Sequence, residues 1–120
     1  MEKVNLGEKL ALINEHWRPK VVGELNNQEV KLAKIKGVFP WHHHELEDEL
    51  FLAVRGKFRI EFRDKTVELN AGDFLIVPRG VEHRPVADEE AEILLFEPQG
   101  VKNTGNMEDE NFTAPVGDRI

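Results

Sequence analysis

From Val21 onward the chain is a succession of short runs rich in Val, Ile, Leu and Phe, interrupted at spacings of roughly ten residues by turn-forming groups. The runs are Lys20–Leu25, Glu29–Lys36, Phe39–His44, Glu49–Arg55, Lys57–Arg63, Thr66–Leu69, Phe74–Val77, Glu82–Val86 and Ala91–Phe96. Between them fall Asn26–Asn27, Gly37, Gly56, Arg63–Lys65, Asn70–Asp73, Pro78–Gly80 and Ala87–Glu90, whose residues favour turns. Eight or nine short strands with no intervening helical crossovers exclude a parallel sheet and predict an all-β sandwich or barrel.

Two of the runs show which faces are covered. In Lys57–Arg63, Phe58, Ile60 and Phe62 share one side and the charged residues the other, so one side meets a core and the other water. Glu49–Arg55 does not alternate in this way. Leu50, Leu52 and Val54 oppose Glu49, Phe51 and Ala53, leaving both faces apolar. The outer one needs a cover, either an N-terminal element or a second subunit, and part of it is expected to form a homodimer interface.

Before the strands, Leu6, Leu10, Ile13 and Trp17 recur at helical spacing over 5–17, with Asn5 and Glu8 placed for a capping box and Pro19 as a stop. The Trp17 ring is expected to pack rather than to touch a ligand. After the strands, 103–120 is polar with isolated Met107, Phe112, Val116 and Ile120, which reads as an extended arm. The expected organisation is an N-terminal helix over 1–19, a β-barrel over 20–100 and an extended tail over 101–120 within one domain of 120 residues.

Sixteen basic and twenty-three acidic residues give a net charge of −7, with no basic stripe, so nucleic acid is not an expected partner. No apolar run is long enough to span a membrane. The N-terminal residues lack a signal-peptide pattern, and the chain has no cysteine. The expected location is the cytoplasm.

Trp41-His42-His43-His44 is followed by Glu45, Glu47, Asp48 and Glu49. On a strand, His42 and His44 point to one side while Trp41 and His43 face away. That spacing alone suits either a metal site or an ordinary polar strand face. Glu49, across a short turn, opens the next strand, and His83 follows the tight Pro78–Gly80 turn. Three imidazoles and one carboxylate suit a divalent ion such as Mn, Fe, Co, Ni or Zn, and calcium is disfavoured.

These residues carry a resemblance. Gly37, His42, His44, Glu49 and Gly56 resemble the first motif of the cupins. Gly72, Pro78, Gly80 and His83 resemble the second. Four residues rather than five separate Gly37 from His42, and Ala87 stands where an asparagine often ends the second motif, which weakens a germin-like assignment. The resemblance implies a jelly-roll barrel, the double-stranded β-helix of cupins, with His42, His44, Glu49 and His83 as ligands of one divalent metal. Glu49 is also the candidate to move a proton. The overall sequence is similar to small cupins described as mannose-6-phosphate-isomerase-like. The implied function is a metal-dependent enzyme acting on a small polar metabolite bound in the barrel. Alternatives are a sugar or sugar-phosphate isomerase, with Arg55, Arg79 and Arg84 as candidate phosphate anchors, an iron-dependent dioxygenase, and a non-catalytic module binding metal or a small ligand.

Overall fold

The computed structural model describes residues 1–120. One short helix, α1 (Leu6–Leu10), precedes seven strands: β1 (Lys20–Leu25), β2 (Gln28–Val38), β3 (Glu49–Arg55), β4 (Phe58–Phe62), β5 (Thr66–Leu69), β6 (Phe74–Val77) and β7 (His83–Pro98). Every strand pairing is antiparallel, in the order β1-β2-β7-β3-β6, with β4 joined to both β5 and β7. The architecture is a jelly-roll barrel. Its inner face carries Phe51, Phe58, Ile60, Leu69 and Ile93, all nearly inaccessible to solvent. Each such side chain contributes roughly 1.5–3 kcal/mol relative to exposure, so the inward faces hold the barrel together.

Strand β7 organises the rest. Its first residues, His83–Val86, pair with β4, whereas its later residues pair with β3, and β2 runs along the opposite side. The sequence predicts a turn at Ala87–Glu90 and two separate strands, but a single strand of 16 residues passes through. The reason is a bulge. Ile35 faces Ala91 and Gly37 faces Ala87, so the extra residues Asp88, Glu89 and Glu90 swing into solvent and bend the strand. Gly56 lies against this bend with φ 77°, and a Cβ there would sit 3.1 Å from the Glu90 carbonyl oxygen, which is why glycine is needed.

The predicted strand at Phe39–His44 is likewise irregular. Pro40 has no amide to give a ladder. What remains is a single antiparallel bridge between His42 and His83, with Phe39 N–H donating to the Pro85 carbonyl and Gly80 N–H to that of His44. The segment therefore still runs antiparallel to 80–85.

The N-terminal helix spans 5 residues rather than the whole of 5–17. Asn5 caps it by accepting from Glu8 N–H at 2.9 Å. Beyond it, Leu10 and Ile13 bury themselves against Leu32, while His16 bridges to Lys34 and Trp17 N–H donates to the Lys34 carbonyl. Docking onto β2 through the His16 bridge and a left-handed Trp17 (φ 62°) overrides the helical spacing. The tail lies over its own barrel. Val21 N–H donates to the Asp118 carbonyl, Ile120 N–H donates to that of Val21, and Thr104 is fully buried. No helix is long and apolar enough to cross a membrane.

Candidate metal centre

The irregular 39–44 segment and the start of β7 bring the two motifs together. Reciprocal backbone hydrogen bonds join His42 and His83, at 3.0 and 2.9 Å. Asp48 ties the 45–48 turn to the Pro78–Gly80 turn, accepting from the Arg79 amide at 2.9 Å and facing its guanidinium at 3.3 Å. Those bonds hold the Asp48 carboxyl below its usual range. The next residue, Glu49, opens β3 at the height of both histidine loops.

The result is a cluster of His42, His44, Glu49 and His83, with one ligand atom from each lying within 4.8 Å of all the others. All four side chains are buried. His44 Nε2 is 3.3 Å and His83 Nε2 3.5 Å from Glu49 Oε1. Two of the imidazoles are oriented from behind: His42 Nδ1 donates to the Pro40 carbonyl at 2.9 Å, and His83 Nδ1 to that of Val81 at 2.8 Å. A proton on each Nδ1 leaves Nε2 as a bare lone pair facing the centre, an arrangement typical of imidazoles ready to ligate.

Two observations bear on whether a cation fits. His44 Nε2, His83 Nε2 and Glu49 Oε1 are buried without a hydrogen-bond partner, a costly state in the interior unless something satisfies them. Burial, followed by repulsion from the His83 imidazole, pushes the His42 pKa down to about 4, so this ring is neutral near pH 7. Burial also works to raise the Glu49 pKa, but without a cation the His44 and His83 rings, where they carry a proton on Nε2, hold it well below the usual carboxylate range, and a bound cation would take the place of those protons. Neutral imidazole beside an ionised carboxylate is the donor set that a borderline divalent cation selects.

Trp41 and His43 face away. Arg63 and Arg84 lie over the Trp41 ring at 3.8 and 4.6 Å, and His43 Nε2 meets Glu45 at 2.7 Å. The candidate phosphate anchors are engaged elsewhere: Arg55 with Glu92, Arg79 with Asp48, and Arg84 with Glu61.

A small chamber, about 30 Å³ of enclosed space, opens beside the cluster, with His42 and Glu49 in its wall. The remaining wall is largely Trp17, Ile35, Phe39, Phe51, Ile93 and Leu95. Trp17 thus lines the chamber as well as packing on Phe39, at 4.8 Å between ring centres. Its helical spacing gave no sign of this, because the ring is placed by a backbone φ of 62°. Asn103 reaches the chamber from the tail, which composition alone read as an arm.

An antiparallel jelly roll with three histidines and one glutamate clustered at one end defines a cupin. The Cupin domain family matches residues 28–97, more than half of the chain, and this chain belongs to that family. A cupin-2 domain protein from Shewanella frigidimarina NCIMB 400 is 43% identical, superposes with a TM-score of 0.79, and is matched over 80% of this chain and 94% of its own. Protein NMB1881 from Neisseria meningitidis is 30% identical with a TM-score of 0.76, over 82% of this chain and 100% of its own. Bacillus subtilis YdbB is 37% identical over 89 residues, 65% of this chain and 79% of that protein.

Proposed function

We propose that this cupin is a metal-dependent enzyme that transforms a small molecule in its barrel, with His42, His44, Glu49 and His83 holding one divalent transition metal. The observation that carries this reading is the convergence of four ligand atoms, three of them buried and unpartnered, on one point beside an open chamber. Four protein ligands leave positions free on an octahedral ion, and the metal would supply Lewis acidity toward a substrate oxygen. The chain's own groups do the rest. Phe39 and Phe51 keep water from the chamber wall, the Pro40 and Val81 carbonyls fix the imidazoles, and Glu49 is the group placed to hold or move a proton.

The chain is further proposed to pair as a homodimer. The outer sheet face beyond the reach of α1 exposes Phe74 and Ile76 beside half-buried Leu50 and Leu52.

Elemental analysis of purified variants tests the metal reading. Alanine at His42, His44 or His83 is expected to remove most bound metal, with a milder loss at Glu49, and His43→Ala to retain it. Equal metal in all of these variants would refute the assignment. Turnover separates an enzyme from a binding module: a pure binder shifts only the melting temperature when its ligand is added.

A further inference from the structure

We infer that the ligand of this site is a compact, largely apolar molecule carrying a single metal-directed oxygen group, such as a carboxylate or phenolate, rather than a sugar or a phosphate ester. The inference rests on the proposed metal site and adds the chemical class of what that site takes.

The chamber wall carries the argument. No lysine or arginine lines it, so a phosphate entering would be desolvated without a counter-charge. Apart from His42 and Glu49, the polar group it presents is Asn103, and that side chain is already committed. Its Nδ2 donates to the carbonyls of Trp17 and Phe112 at 3.3 and 2.9 Å, and its Oδ1 accepts from Ala114 N–H at 2.9 Å. The indole Nε1 of Trp17 donates to the Lys36 carbonyl at 2.9 Å and is equally unavailable. A sugar brings several hydroxyls. Each one buried here without a partner would weaken binding roughly ten- to hundred-fold. The metal centre can satisfy one oxygen group, or two adjacent ones. Everything else on the ligand meets Ile35, Phe39, Phe51, Ile93, Leu95 or the Trp17 ring.

Size points the same way. The enclosed part of the chamber is only about 30 Å³, so a bulky, many-substituted ligand would meet its walls at once. Flat aromatic walls suit a planar body, since ring faces and edges stack at favourable offsets.

Trp17 provides the readout. Trp41 is the only other tryptophan and lies outside under Arg63 and Arg84, so Trp41→Phe leaves an emission that reports on the chamber. Cobalt-loaded Trp41→Phe protein would be titrated separately with benzoate, D-mannose and D-mannose 6-phosphate, following the cobalt visible bands and the Trp17 emission. Benzoate is expected to shift both signals saturably, with a Kd at least about ten-fold below that of either sugar. Equal or tighter binding of a sugar would overturn the inference, as would benzoate that moves the cobalt bands but leaves Trp17 emission unchanged. Toluene added to the metal-free protein separates this inference from the metal reading, because it has no oxygen to ligate. Quenching of Trp17 by toluene in protein that takes up no cobalt would sink the metal site and uphold the apolar chamber. No response to toluene, with cobalt bound normally, would do the reverse.

Discussion

Glu97 faces Glu29 directly across β7 and β2, and the pairing of Leu50 with Phe96 sets Glu49 beside it on β3. Three carboxylates thus form a row across adjacent strands on the inner face, all nearly inaccessible, with the Lys31 ammonium 2.9 Å from Glu97 and 3.7 Å from Glu29. Like charges opposed across a sheet are unfavourable, more so when buried. Burial raises the Glu97 pKa well above the usual carboxylate range, the Glu49 charge raises it further, and Lys31 opposes only in part. In the metal-free protein the sign of the consequence is fixed. A folded pKa above the unfolded value means that the folded state holds a proton the unfolded state has released. Stability therefore falls as pH rises from the unfolded pKa near 4.5 toward the folded one. Glu97→Gln mimics the protonated carboxyl without that cost. It is expected to melt higher than the parent at pH 7 and to match it more closely at pH 4.5. A variant that melts lower at pH 7 would show Glu97 to be ionised there. This row was legible in principle, because Glu29 and Lys31 share the parity of Ala33 and Ile35, and Glu97 that of Ile93 and Leu95. A charge at an inward position of a strand is a signal that the histidines overshadow.

β1, β3, β5 and β6 span the runs in which β-branched, Leu and Phe residues cluster between turn residues, because local pattern and pairing agree there. β7 and the 39–44 segment departed from the pattern for long-range reasons, a bulge against Gly56 and a bridge to His83. The four clustered residues were legible because each sits at fixed spacing from a glycine or proline turn. The chamber was not, since its wall draws two residues each from β2 and β3, three from β7, and others from the 39–44 segment and two terminal segments. The C-terminal tail completes that wall. Asn106 and His43 exchange hydrogen bonds, the His43 amide donating to Asn106 Oδ1 at 2.9 Å and the Asn106 amide to the His43 carbonyl at 3.0 Å, while Phe112 packs on Trp17 and Phe39. Gly105 makes this approach possible. It has φ 56°, and a Cβ would overlap the His43 carbonyl oxygen. Gly105→Ala forces the tail away from the histidine loop and adds left-handed strain. The expected loss is about 2 kcal/mol or more, a fall in Tm on the order of 5–10 °C. Limited proteolysis is expected to cut the tail of this variant sooner than that of the parent. Unchanged melting and cleavage would show that the tail is not held at this point.

The outer face of the barrel is apolar across four strands. Leu32, Leu94, Leu52 and Phe74 align in one row, and Val30, Phe96, Leu50 and Ile76 in the next. α1 and the chain end cover one side of this surface, packing Leu10, Ile13 and Ile120 around Leu32, Leu94 and Val54. The other side stays open. Phe74 is 61% and Ile76 51% exposed, on β6, a strand of 4 residues paired on one side only. An exposed apolar strand at a sheet edge is an aggregation hazard unless something regular covers it. A second copy presenting the same patch about a two-fold axis satisfies both sides at once and closes the assembly. The exposure of these two side chains makes the test clean, because replacing them removes nothing from the core. The wild-type chain is expected to sediment at about twice 13.8 kDa. The double variant Phe74→Glu, Ile76→Lys is expected to sediment as a single chain, with Leu75 still packed inward against the core and the barrel's circular dichroism unchanged. A wild type that sediments as a single chain at micromolar concentration, or a double variant that still pairs, would place the interface elsewhere or remove it.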